Sequence, residues 1–134
     1  MKIAVRYQSQ TGHNKQLAEA IAEIAGVQAE PVTQPLDEPV DVLFVGGGVY
    51  MMSVAPSLKR FLDNLDPSQV KNIAIFSSAG HVRTAINAIS KIVKEKGINA
   101  FDETFFISVG ISNPDSEQIT QVKQFAENIL KKLP

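Results

Sequence analysis

The sequence predicts an α/β fold: a three-layer, doubly wound, five-stranded parallel sheet between two layers of helices. Three observations predict it. Short apolar runs alternate along the 134 residues with segments of helical periodicity. Those runs are apolar along their whole length, as strands are when both faces of a sheet are covered. Right-handed crossovers between such strands then place helices on both sides.

The first run, residues 2–7 (KIAVRY), is rich in β-branched residues and predicts a buried strand. Residues 14–25 carry Leu17, Ala18, Ile21, Ala22, Ile24 and Ala25 at helical spacing, with Gly26 as the stop. Residues 27–32 predict a second strand, placed at an edge because Pro31 removes a ladder donor. The link that follows, with Pro35 and Pro39, is turn-rich and too short for a helix. Residues 41–45 (DVLFV) predict the third strand, which ends in Gly46-Gly47-Gly48. Pro56 opens a helix with Leu58, Phe61, Leu62 and Leu65 on one face. Residues 70–76 predict the fourth strand, 83–96 a helix stopped by Gly97, 104–109 the fifth strand and 116–132 the last helix. The whole chain, 1–134, reads as one domain, with no repeat, linker or low-complexity stretch.

Composition narrows the function classes. Thirteen basic against fourteen acidic residues, without a basic block, give no footprint for nucleic acid. No run reaches the roughly 18–20 apolar residues of a membrane span. There is no cysteine, which excludes disulfides, thiolate metal sites and cysteine nucleophiles. Together with an N-terminus that shows no signal-peptide pattern, this favours a cytoplasmic location.

In a doubly wound sheet, ligands bind beyond the carboxyl ends of the strands, where strand order reverses. For the order 2-1-3-4-5 that point lies between strands one and three, so the loops at 8–13, 46–54 and 77–82 are the candidates. The first contains Ser9, Gln10, Thr11, Gly12, His13 and Asn14, running from a strand into a helix. Its backbone N–H groups and the positive helix end suit a phosphate. Ser, Thr and Asn also cap ordinary helices, so this loop alone leaves a plain N-cap open. The second sets Gly46, Gly47 and Gly48 beside Val49, Tyr50, Met51 and Met52, a combination suited to a flat apolar ring. Packing of Tyr50 and the methionines beneath the next helix is the other reading. The third loop, Ser77, Ser78, Ala79, Gly80 and His81, offers small residues and one imidazole.

Tyr7-Gln8-Ser9-Gln10-Thr11-Gly12-His13-Asn14 resembles the phosphate signature of the flavodoxin family, an aromatic followed by hydroxyl-x-Thr-Gly-x-Thr. The 58–65 helix and the strand leading to Ser77-Ser78 are similar to the family's as well, so the resemblance spans essentially the whole chain. It implies the flavodoxin-like strand order and FMN as cofactor, with Ser9 to Asn14 around the phosphate. It further implies that Gly46 to Met52 and Ser77 to His81 line the isoalloxazine, with His81 near one ring face and Tyr50 or Met51 near the other. Three departures stand out: Asn14 replaces the usual threonine, Met51-Met52 replaces a glycine and an acidic residue, and the family's strong acidity is missing.

Other chemistries lack their residues. There is no P-loop, the Gly46/Gly48 pattern meets Met51 where a dinucleotide fingerprint needs glycine, and Gln8-Ser9 stand where a phospho-receiver needs an acidic pair. No nucleophile elbow or metal-ligand constellation appears. The surviving classes are an FMN electron carrier working between redox partner proteins, a small FMN-dependent reductase of a nicotinamide/quinone-like substrate, and a flavodoxin-like interaction module. Short length and the absence of a second binding segment favour the carrier, and near-neutral charge with the Met51-Met52 loop leaves room for the reductase.

Overall fold

The computed structural model describes residues 1–10, 12–50, 53–79, 84–108 and 113–133. Strand β1 (Ile3–Tyr7) leads into α1 (His13–Ala25), and β2 (Ala29–Pro31) and β3 (Val40–Gly46) follow. A small antiparallel hairpin, β4 (Val49–Tyr50) and β5 (Ser53–Val54), precedes α2 (Pro56–Asp63). Then come β6 (Val70–Ala79), α3 (Thr84–Glu95), β7 (Asn99–Ala100), β8 (Phe105–Ser108) and α4 (Ser116–Lys131). The main sheet is parallel in every pairing and runs β2-β1-β3-β6-β7, with β8 also on β6. This is the predicted five-position order, with its reversal between β1 and β3.

The dual-faced strands do what their pattern requires. Along β3, Val42 and Phe44 enter one core with Leu17, Ile21, Phe125 and Ile129, under α1 and α4. Their neighbours Leu43 and Val45 enter the other core with Leu58, Leu62, Ile89 and Val93, under α2 and α3. Phe44 and Phe125 meet edge to face at 6.1 Å, which fixes α4 against the sheet.

Two strands differ from the sequence reading. The fifth position is shared: β7 pairs with Asn72–Ile73 and β8 with Phe76–Ala79 of β6. Between them Glu103 turns out to Lys132 of the C-terminal segment at 2.9 Å. β6 also runs on to Ala79, so Ser77, Ser78 and Ala79 belong to a strand rather than a loop. The ladder to β8 supplies the backbone partners that keep this polar stretch extended.

No helix joins β2 to β3, as the prolines imply, and a buried arginine holds the link in place. Arg6 lies on the Ala4 side of β1 and is only 7% exposed. Its Nε donates to Gln34 O at 2.9 Å, Nη2 to Pro35 O at 3.2 Å and Nη1 to Val5 O at 3.1 Å. Burial lowers its pKa, while the carboxylates of Glu30 and Asp37 oppose that shift. β2 is an edge, and Val32 N–H donates to Tyr7 O at 2.8 Å, so the ring nitrogen of Pro31 faces away from the ladder. Arg6→Met is expected to cost about 2 kcal/mol, because the link's carbonyls lose their donors, read as a lower urea midpoint.

Asp41 ties down the amino end of the sheet. It accepts from the Lys2 N–H at 2.8 Å and pairs with Lys71 at 3.3 Å, and the Lys2 bond, then Lys71, lowers its pKa below 3.8. A lowered carboxyl pKa stabilises the fold above its unfolded value and ceases to do so as pH falls through the folded one. The difference in thermal midpoint between the parent and Asp41→Asn is therefore expected to shrink between about pH 5 and pH 2.

Candidate functional site

The carboxyl ends of β1, β3 and β6 lie side by side, and side-chain bonds join the segments leaving them into a closed triangle. Gln8, just past β1, donates its N–H to Gly46 O at 2.9 Å and accepts from Gly48 N–H through Oε1 at 3.2 Å. Ser77 of β6 donates its hydroxyl to Gly47 O at 2.8 Å. Asn14, in the first turn of α1, closes the third side. Its Oδ1 accepts from Ser78 N–H at 2.8 Å and its Nδ2 donates to Ser78 O at 3.3 Å. Asn14, Ser77 and Ser78 are all buried.

The bonds of Asn14 give it a bracing position between α1 and β6. Ser9 has a local partner too: its Oγ accepts from Gly12 N–H at 2.9 Å and tightens the turn before the helix. Gly12 leads into α1 at φ 91°, a left-handed conformation that side-chain-bearing residues adopt at a cost. A Cβ there would touch nothing within 4 Å, so φ, not protein packing, calls for glycine. The helix starts with no side chain at its cap position and no acidic residue in its first turn. Its first internal bond runs from Gln16 N–H to Gly12 O at 3.0 Å, which leaves the His13, Asn14 and Lys15 N–H groups without helical acceptors. That end can hold an anion.

The three glycines separate by cause. A Cβ at Gly46 would fall on the Phe76 ring and carbonyl, and one at Gly47 would come within 2.7 Å of Leu58 Cδ2. Gly48 alone is open, with Asn14 Nδ2 nearest at 3.9 Å. Gly46 and Gly47 thus have packing reasons of their own, and only Gly48 leaves room for a ligand to approach the backbone. Val49 and Tyr50 form β4. Thr11, Met51, Met52, Gly80 and His81 lie outside the described residues.

Among the described residues of this region, one buried polar side-chain atom lacks a protein partner. Ser78 is 6% exposed, and its Oγ makes no hydrogen bond. By strand alternation it faces the α1/α4 side with Ala74 and Phe76, next to the start of α1. A cavity of about 480 Å³ between Val32, Leu36, Arg60 and Phe61 lies instead on the α2 face beside the 33–39 link. It follows from the missing helix and has no part in the triangle.

Gln8 is the member of this hydrogen-bonded cluster that sequence reasoning missed. It adjoins the phosphate-like loop, but its partner Gly48 is 40 positions away and nothing local announces the bond. Among the described residues, no cluster of three or more His, Cys, Asp or Glu could hold a metal, and no helix is long and apolar enough to cross a membrane.

No family model and no curated protein matches the chain. Solved structures do. A flavodoxin from the domain Archaea superposes with a TM-score of 0.83 at 23% identity, over 98% of each chain. Oxidised flavodoxin 2 from Bacillus cereus gives 0.81 at 18%, over 99% of this chain and 100% of that one. Rubredoxin oxygen:oxidoreductase from Desulfovibrio gigas gives 0.79 at 16%, over 98% of this chain and 35% of that one. The protein therefore has the flavodoxin-like α/β fold, with a three-way hydrogen-bonded cluster at the carboxyl end of its sheet.

Proposed function

We propose that this chain binds FMN non-covalently at the carboxyl end of its sheet and carries electrons between redox partners. The observation behind this is the buried Ser78 hydroxyl without a protein partner, beside a helix N-terminus without a cap. A buried hydroxyl left unpaired costs about 1–3 kcal/mol, so a polar ligand group reaching it would remove a real penalty. The likeness of residues 7–14 to the flavodoxin phosphate signature supports the same reading, as does the fold.

The phosphate would lie at the start of α1, held by backbone N–H groups of His13 to Lys15 with Ser9, Gln10, Thr11 and Gly12 around it. Gly47, Gly48, Val49, Tyr50 and Met51 would line the ring from one segment, and Ser77, Ser78, Ala79, Gly80 and His81 from the other. When bound, the flavin supplies the redox chemistry. The chain's part is to bind it, orient it and keep water from it.

Extraction of the bound chromophore and its identification by mass test the reading. FMN is expected; FAD, or no affinity for either flavin, would overturn it. Thr11→Ala is expected to weaken FMN binding roughly ten- to a hundredfold, the effect of losing one hydrogen bond to a charged group. Alanine at Lys15 is expected to change it little.

A further inference from the structure

We infer that the cavity beside α2 is a second binding site, for a small molecule with a flat apolar body and one carboxylate. It stands apart from the flavin reading, because no residue of the hydrogen-bonded triangle lines it. Its volume of about 480 Å³ is that of a small-molecule pocket. Parallel strands are usually joined by a helix, but residues 32–39 join β2 to β3 without one and leave this space against α2.

Both walls are held from behind. Arg6 donates to Gln34 O and Pro35 O of the link, and Val32 N–H donates to Tyr7 O at 2.8 Å. On the other side, Leu58 and Leu62 seat α2 in the core. Ser57, Arg60, Phe61 and Asn64, spaced i, i+3, i+4 and i+7, then form one stripe along the cavity, about 10 Å long. Walls fixed in this way lose little freedom when a ligand enters.

The lining sets the ligand's chemistry. The buried Val32, Phe61 and Leu65 and the half-buried Leu36 give an apolar floor with one aromatic ring. Among the described residues that line the cavity, Arg60 alone is charged, and its guanidinium has no ion pair or hydrogen bond with another described residue. The carboxylates of the flanking segments are engaged elsewhere, and none lines the cavity. Asp63 pairs with Lys59 at 2.8 Å, Glu38 pairs with Lys2 at 2.9 Å, and Asp66 accepts from the N–H and hydroxyl of Ser68, both at 2.9 Å. Glu30 and Asp37 act on Arg6. One free guanidinium matches one planar carboxylate through its paired N–H groups, whereas a phosphate would keep a second charge uncompensated. Phe61 is left to meet the apolar body.

Titration followed by amide chemical shifts tests the inference. The probe is naphthoate, with naphthalenemethanol as its neutral counterpart, added to the protein with one equivalent of FMN and again without it. Saturable shifts are expected at 32–36, 57–65 and 69 in both samples, with naphthoate bound about fivefold more tightly than the alcohol. Arg60→Gln is expected to abolish that preference and to leave the alcohol's affinity unchanged, and Arg60→Lys to keep part of it. Arg60 is exposed, so both variants are expected to fold like the parent. Shifts confined to 8–14 and 46–50, or shifts that vanish when FMN is added, would place the probe at the carboxyl end of the sheet and overturn the inference. Equal binding of acid and alcohol, an undiminished preference in Arg60→Gln, or no saturation by about 10 mM would also overturn it. So would shifts of the same amides with protein concentration alone, which would assign the cavity to a second copy of this chain.

Discussion

Asn14→Leu is expected to lower the thermal midpoint by roughly 10 °C and to weaken FMN binding with it. Leucine nearly matches asparagine in volume but removes both bonds to Ser78, at 2.8 and 3.3 Å, and strands a buried N–H and a buried C=O. Each costs about 1–3 kcal/mol, so the sum is about 3 kcal/mol or more. The binding loss follows because α1 and β6 are no longer held together where the phosphate and ring segments meet. Asn14→Asp separates the two effects. Its carboxylate still accepts from Ser78 N–H, but it faces Ser78 O and adds negative charge at the helix end. Stability is expected to fall less than in Asn14→Leu, and FMN affinity to fall further. Calorimetry of the flavin-free protein and fluorescence titration with FMN read the two quantities. Equal affinity in parent and Asn14→Asp would remove the phosphate from this helix end.

The features legible in the sequence were those written in local periodicity. β3 could be read because Val42, Leu43, Phe44 and Val45 are apolar on consecutive positions, which only a sheet covered on both faces demands. α3 and α4 could be read from apolar residues three and four apart, and α2 from Pro56 at its first turn. The split fifth position could not. β7 is two residues long and β8 four, too short for either period to establish itself. Ser77-Ser78-Ala79 has loop composition, and only pairing with Phe106, Ile107 and Ser108 makes it strand. Arg6 passed as one residue of an apolar run, although it holds a link 28 and 29 positions away.

The site was legible in outline for the same reason. Fold topology locates the carboxyl-end loops, and residues 8–14 carry a local pattern. Its internal wiring was hidden because Gln8–Gly48, Ser77–Gly47 and Asn14–Ser78 span 40, 30 and 64 positions. Asn14, which stands where the family has a threonine, accepts from Ser78 N–H through Oδ1 and donates to Ser78 O through Nδ2, two separate atoms where a hydroxyl has a single oxygen.

Gly46→Ala and Gly48→Ala, two positions apart in one glycine run, are expected to fail in different assays. At Gly46 the new methyl meets the Phe76 ring and its carbonyl oxygen, and Gly46 pairs with Phe76 in the β3–β6 ladder. Backbone in a central ladder cannot step aside as a side-chain tip can. The cost is expected at the upper end of overpacking, about 3 kcal/mol, with a matching loss in urea midpoint. At Gly48 nothing lies nearer than 3.9 Å and φ is not left-handed, so the flavin-free fold should change by no more than about 0.5 kcal/mol. FMN affinity should nonetheless drop roughly tenfold, because the space beside Gly48 is where a flat ring would approach the backbone. A Gly48→Ala protein that binds FMN like the parent would move the ring away from this segment. A Gly46→Ala protein as stable as the parent would mean that β3 and β6 can separate at their carboxyl ends. The segment leaving β3 would then have to be free to rearrange when a ligand arrives.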